Sequence, residues 1–342
     1  MTNSKPDFSI VIPTFNRARF LKVAISSVLK QRNISFEIII GDNASTDKTY
    51  DIVKSFKDRR IKYFRNDKNL GFAENIRKCF KKTSGMYIFT LGDDDLILDD
   101  NTLFFILKVM NKTKAGMGSI GTIYYSKTPK IPSKTFILSN RLIFIKPRKN
   151  KTLPTKSLSF NISFFTGLIY KNSLIDTNKI TNSFNYPYFP FSYDVIQKGG
   201  IVYIPDYFTV GRISLRFVPS YYSLDKLGSF FMEDYLNMIN QFIFNKDYKE
   251  HKKKFLRDGT ILLPSIKLFT DNRNYLKVLQ KLINLDRTLL FEPKFIIFSL
   301  IGLLPKSILE LIRNIAIYIL EKKTVNLVSK YNYFEKIKKL GI

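Results

Sequence analysis

Short apolar runs alternate with stretches of helical spacing through the first hundred residues. Residues 8–12 form a mostly apolar run closed by Pro13, the pattern of a buried strand. Residues 19–30 then place Phe20, Val23, Ala24, Ser27 and Val28 at helical spacing. The alternation continues with a strand at 36–40 and a helix at 48–56, where Thr46 or Asp47 stands at the cap. A short strand at 61–64, a helix at 71–83 and a strand at 86–91 complete it, the last running straight into Asp93. This order predicts an α/β fold with a mostly parallel sheet flanked by helices. Ligands of such sheets bind at the carboxyl ends of the strands. Residues 14–17, 42–45 and 93–95 are polar and fall at those ends.

The pattern changes from about residue 115. Strand-like runs at 119–125, 136–138, 142–145, 164–170 and 200–204 sit between loops rich in Asn, Ser, Pro and Lys. From residue 224 the apolar spacing turns helical, with helices expected at 230–244, 261–269 and 307–320. The expected organisation is therefore one α/β domain over 1–220 and a helical region over 221–342.

Composition narrows the chemistry. Of 342 residues, 56 are Lys or Arg and 28 are Asp or Glu, a formal net charge of +28. Such an excess points to an anionic partner: nucleic acid, a membrane face or phosphate-bearing small molecules. Background codon bias toward Lys is an alternative source of part of it. One cysteine, Cys79, allows no internal disulfide. One histidine, His251, leaves no material for a histidine-built zinc site. Residues 1–7 have no apolar segment, so no signal peptide is expected. The longest apolar stretch, 295–304, is ten residues where a bilayer span needs roughly 20.

Catalysis must therefore lean on carboxylates and hydroxyls. Asp93, Asp94 and Asp95 follow an apolar strand, and adjacent like charges raise one another's pKa. A divalent cation relieves this, since Mg²⁺ and Mn²⁺ favour carboxylate oxygen and take one or two carboxylates plus substrate phosphates. The competing reading is an acidic turn before the helix that Asp99–Asn101 would cap. Asp42 can accept from a base or ribose, or form an Asx-turn. Arg17 can meet a phosphate, or simply lie exposed. Gly71 permits close backbone approach, or a turn.

The four segments 7–17, 37–49, 69–75 and 85–95 occur in an order and spacing that resembles glycosyltransferase family 2, with its GT-A fold. The Asp-Asn-Ala-Ser-Thr-Asp run at 42–47 is similar to abequosyltransferase-like members that build bacterial surface polysaccharides. The resemblance covers roughly 7–110. It implies a hexosyltransferase-type enzyme that moves a sugar from a nucleoside-diphosphate sugar to a hydroxyl of a growing surface glycan such as O-antigen or capsule. It also implies metal dependence on Mn²⁺ or Mg²⁺ and an inverting outcome. Residues 1–114 then become the nucleotide-sugar half and 115–220 the acceptor half.

Carried over residue by residue, Pro13, Thr14 and Phe15, with Asn16 and Arg17 after them, match the loop beside the nucleotide. Asp42 matches the residue that reads the base, and Asn69, Gly71 and Asn75 match an element near nucleotide and sugar. Asp93 faces ribose or diphosphate, and Asp94, with Asp95 next to it, holds the metal. The family's usual first acid is Gly92 here, and Glu74 stands where many members carry Arg. The Glu-Asp pair that serves inverting members as base is absent from 185–200, where the single carboxylate, Asp194, is either the base or a solvated helix residue. Glu233 and Asp234 are a weaker choice.

Residues 294–320 mix apolar clusters with Lys and Arg, and further lysines follow. This suits an interfacial helix on an anionic leaflet, or an ordinary helical cover. A lipid-linked acceptor would give the first reading a purpose, with the protein cytoplasmic and peripheral on the inner face of the cell membrane. Two other classes compete. A sugar nucleotidyltransferase would carry a Gly-rich basic loop after the first strand, and 13–17 holds no Gly. A nucleic-acid-binding module suits the charge, but the Asp triplet would repel that partner.

Overall fold

A computed structural model describes residues 5–125, 132–136, 141–146, 164–181, 187–212, 252–253, 256–257, 263–268 and 271–340. The chain divides into two compact units, one of residues 1–213 with 324–342 and one of residues 214–323.

The first unit is built on β1 (Phe8–Thr14), β2 (Phe36–Asp42), β3 (Ile61–Arg65) and β4 (Tyr87–Thr90), with helices α1 (Ala18–Leu29), α2 (Thr49–Ser55) and α3 (Gly71–Lys81) between them. β5 (Leu96–Ile97) and α4 (Thr102–Thr113) follow. The second half adds β6 (Met117–Tyr125), β7 (Pro132–Phe136), β8 (Ile143–Ile145), β9 (Leu168–Lys171), α5 (Phe189–Gly199) and β10 (Ile201–Arg212). The strands form one sheet ordered β3-β2-β1-β4-β9-β6-β10-β5, with β7 on β6 and β8 on β10. β1, β2, β3 and β4 run parallel, whereas β9 is antiparallel to both β4 and β6. This is the GT-A arrangement expected of the sequence.

β1 and β2 are buried along their whole length because both faces are covered by helices. Ile10, Ile12, Ile38 and Ile40 meet Leu21, Ala24, Ile25 and Val28 of α1 in the main core. At the amino ends of the strands, Glu37 ties four elements together. It accepts from Ser9 Oγ at 2.5 Å, from Ser84 N at 2.6 Å and from Lys62. Burial on its own would raise its pKa, but Lys62, Ser9 and Ser84 outweigh it and hold the carboxyl below the ordinary range.

Among the elements that differ from the periodicity, three have a cause in strand pairing. β1 continues through Pro13, which lies opposite Gly41, because β4 stops pairing with β1 at Val11. β10 does not end at Pro205. A bulge between Ile204 and Phe208, with Asp206 at φ 67°, carries it on to Arg212. β5 has two residues, too few to show a period, and pairs antiparallel with Thr209 and Val210.

The second unit contains α6 (Leu263–Leu268), α7 (Asn272–Leu285) and α8 (Pro293–Ile301). Asp271 caps α7 by accepting from Asn274 N at 2.7 Å. α9 (Lys306–Ser329) is the longest described helix, and α10 (Tyr333–Leu340) closes the chain. Val328, Tyr333 and Ile337 are buried with Leu96, Leu98, Ile123, Phe208 and Val210, so residues after 323 belong to the first unit's packing. The helix expected at 230–244 lies outside the described residues.

Candidate active site

In the sheet, β2 lies on one side of β1 and β4 on the other. The winding therefore reverses at β1, and a crevice opens beyond the carboxyl ends of β1 and β4. The segments after these two strands carry residues 14–17 and 92–95.

Arg17 Nη1 donates to Asp94 Oδ2 at 2.9 Å, linking the two segments. Both side chains are partly exposed. Burial and the charge of Asp94 push the Asp93 carboxyl up to about 7. Arg17, the Thr14 hydroxyl and the Phe15 backbone oppose that shift by favouring the ionised form. Thr14 and Pro13 are buried, and Phe15 is half-buried.

Asp95 is placed differently. It is buried, and its Oδ2 accepts from the Thr166 hydroxyl. Thr166 Oγ1 also accepts from Gly92 N at 2.7 Å. A Cβ at Gly92 would stand 2.6 Å from Asp95 Oδ2, and one at Gly211 would stand 3.1 Å from Oδ1. Glycine at position 92, where the family's usual acid was expected, is thus what makes room for Asp95. Thr166 is presented by Gly167, whose φ is 84° and whose N–H donates to Thr90 O at 2.9 Å.

A second cluster lies at the ends of β2 and β3. Asp42 is buried and accepts from Ser45 N at 2.8 Å and Tyr63 OH at 2.6 Å, with Arg65 Nε at 3.9 Å. Burial and Asp42 both raise the Tyr63 pKa, so this phenol stays a donor. Asn43 Nδ2 donates to Asn69 Oδ1 at 2.6 Å, and Asn43 Oδ1 accepts from Leu70 N at 2.9 Å and Asn66 Nδ2 at 3.1 Å. Asn66 Nδ2 also reaches Asn75 Oδ1 at 3.0 Å, and Asn75 Nδ2 donates to Gly41 O at 2.8 Å. Gly71 has φ 79°, and its N–H donates to Asn69 Oδ1 at 2.9 Å. Asn69, Gly71 and Asn75 are therefore brought together with Asp42 through Asn43 and Asn66. Asn43 lies in the 42–45 segment but had no role of its own there, and Asn66 was missed, although it directly follows β3 and the strand-end rule reaches it.

Asn16, at φ 54°, accepts from Thr46 N at 2.7 Å and donates its own N–H to Ser45 Oγ at 2.8 Å. Asp47 accepts from Ala18 N and Thr49 N, both at 3.0 Å, so one carboxylate serves the starts of α1 and α2. Glu74 is paired with Arg77, which also donates to Ile180 O at 2.5 Å and thereby ties α3 to the segment before α5.

Phe72 at the start of α3 meets Phe165 edge-on, and Phe165 packs against Tyr188 at the start of α5. Asp194 lies six residues further along α5 and pairs with Lys179 at 2.5 Å and Lys198 at 2.6 Å. Burial alone would raise its pKa, but the two ammonium groups hold it below the ordinary range. Glu233 and Asp234 lie outside the described residues. Thr166, also missed, carries no charge and lies inside a run read only as a strand.

Among the described residues no three His, Cys, Asp or Glu side chains converge as a metal cage. The donor set still suits a hard cation shared with a substrate. Asp94 is within reach of solvent, and Asp93 beside it bears a carboxyl whose ionisation a nearby positive charge would favour.

Residues 9–173 match the sequence profile of glycosyl transferase family 2. The chain is 30% identical over 183 residues to GalNAc(5)-diNAcBac-PP-undecaprenol beta-1,3-glucosyltransferase of Campylobacter jejuni, covering 52% of this chain and 56% of that protein. It is 35% identical over 98 residues to abequosyltransferase RfbV of Salmonella typhimurium, covering 27% and 29%. The chain thus spans just over half the length of the first relative and under a third of the second. Residues 1–349 of S. aureus TarS, solved with UDP-GlcNAc, superpose with a TM-score of 0.60 at 16% identity, over 86% of this chain and 90% of that one. Profile, relatives and fold agree with the four motifs, and residues 9–173 are those of a glycosyltransferase family 2 domain.

Proposed function

We propose that the protein transfers a sugar from a nucleoside-diphosphate sugar to a hydroxyl of a bacterial surface glycan carried on a lipid. The observation that carries the reading is the Arg17–Asp94 pair where the sheet reverses, with Asp93 beside it. This places one guanidinium and two carboxylates where an α/β sheet binds its ligand. The named relatives act on undecaprenol-linked glycan or transfer abequose, which supports the acceptor class and the donor chemistry.

In this reading the buried Asp42, Asn43 and Asn75, with the exposed Asn69 bonded to Asn43, shape the wall for the base and ribose. Arg17 turns from Asp94 toward the diphosphate. Asp94, with Asp93 beside it, would hold a Mg²⁺ or Mn²⁺ ion whose charge neutralises the departing diphosphate. Asp95 supports this turn from within through Thr166. The acceptor oxygen forms its bond to the anomeric carbon as the bond to the diphosphate oxygen breaks, which inverts the centre. The hydroxyl proton passes to a base. Asp194 is the carboxylate proposed for that role, and it requires Lys179 or Lys198 to release it when acceptor binds, because two ammonium partners lower its proton affinity.

A thermal-shift panel of nucleoside-diphosphate sugars, with and without Mn²⁺ or Mg²⁺, tests the donor site. A metal-dependent shift from one donor class, lost in Asp94→Asn, is expected. No shift from any donor or free nucleoside diphosphate would overturn the reading. Asp194→Asn abolishes turnover if Asp194 is the base and spares it if the carboxylate only anchors the lysines.

A further inference from the structure

The second unit carries a feature that donor-site chemistry does not use. In α9, Ile308, Leu311, Ile312, Ile315, Tyr318 and Ile319 are all exposed, with Tyr318 at 65% and Leu311 at 60%. Their spacing of three and four residues places them on one face of the helix. Leu309, between them in sequence, is buried, so the helix does bury another face. An exposed aliphatic stripe of this length is costly in water and marks a docking surface.

The charges select the partner. At about 100° per residue, Glu310 and Glu321 lie about 120–145° from the middle of the stripe, whereas Lys322 and Lys323 flank its carboxyl end. Acids are thus kept off the apolar face and lysines are set beside it. α8 adds exposed Leu300, and Phe291, just before it, is 84% exposed. A second copy of the chain would bring another formal charge of +28 against this one, whereas an anionic surface is attracted. No described helix is long and apolar enough to cross a membrane, so the stripe is suited to lying in an interface.

We propose that this face of α9 docks on an anionic lipid surface, with the aliphatic stripe among the acyl chains and Lys322 and Lys323 at the headgroups. The docking is independent of the donor site, and the two are read out separately.

The test is co-sedimentation of the full chain with vesicles of phosphatidylglycerol and phosphatidylcholine, and with phosphatidylcholine alone. Binding to the mixed vesicles and little to the neutral ones is expected. Ile312→Asp/Ile315→Asp should weaken binding at least about 10-fold, since each change removes apolar burial and adds a repelled charge. Lys322→Gln/Lys323→Gln should weaken it about 5-fold per lysine at moderate salt. Melting curves and nucleotide binding confirm that each variant is folded. Three results would each overturn the proposal: no binding of the wild type to mixed vesicles, binding indifferent to the Ile312/Ile315 change, or sedimentation equilibrium showing that the same change dissociates a dimer.

Discussion

Gly92→Asp would restore the acid expected at the head of the Asp-rich motif, and the structure predicts that it damages the protein. The φ of Gly92 lies outside the left-handed region, so the cost comes from space and charge rather than backbone strain. The new Cβ would lie 2.6 Å from Asp95 Oδ2 and 3.1 Å from Thr166 Oγ1. Asp95 must then turn and give up its Thr166 bond, and a hydrogen bond to a charged group contributes about 1.5–3 kcal/mol. Gly92→Ala should therefore cost about 2 kcal/mol, a fall in Tm of about 4–8 °C for a unit of this size. The Asp variant adds overpacking, about 1–3 kcal/mol, and a second carboxylate beside a buried one, for a fall of about 8–16 °C. Thermal melts of Gly92→Asp, Asp95→Ala and the double variant provide the check. Asp95→Ala should cost less in the Gly92→Asp background than in the wild type, by about 0.5–3 kcal/mol. Gly92→Asp melting within about 2 °C of the wild type, or equal costs of Asp95→Ala in both backgrounds, would refute the argument.

Three further outcomes are expected. Arg17→Ala removes one basic partner of Asp94, so calorimetry without nucleotide should show Mn²⁺ binding tightened by about 1.4- to 5-fold, the worth of a partly exposed pair. Asn43→Ala removes the acceptor of Leu70 N and Asn66 and should lower stability by about 2–3 kcal/mol in urea titration, with weaker donor binding. The folded-state pKa of Glu37 is depressed, so the unfolded chain binds the extra proton and stability rises with pH through that range. Glu37→Gln should therefore melt well below the wild type at pH 7, and the gap should close as pH falls below the ordinary glutamate value of 4.5.

The parallel half of the sheet was legible because β1, β2 and β4 are buried on both faces and read as plain apolar runs. The crevice was legible for a related reason: its polar residues stand directly after those runs. What the sequence hid depends on contacts between distant segments. Thr166 reaches Asp95 across 71 positions, and Asn66 meets Asn43 across 23, so neither bond leaves a local pattern. β10 was half seen because Pro205 and Asp206 read as a stop, while pairing to β6 carries the strand past them. The role of Asp95 was blurred by its neighbours, since three identical side chains in a row give no hint that burial singles one out.

Val328, Tyr333 and Ile337 pack on β5 and β10, next to Leu96, which follows the Asp triplet immediately. On a ribosome, the strands of the first unit emerge long before the segment that covers this end of the sheet. Contacts closed over roughly 230 residues of chain form late and slowly. Until then Leu96, Leu98 and Phe208 stay open to water, and the edge strand beside the crevice lacks its packing. Chains halted within the second unit would carry every crevice residue and still lack a finished edge, so such fragments are expected to be captured by chaperones or degraded before they turn over donor sugar.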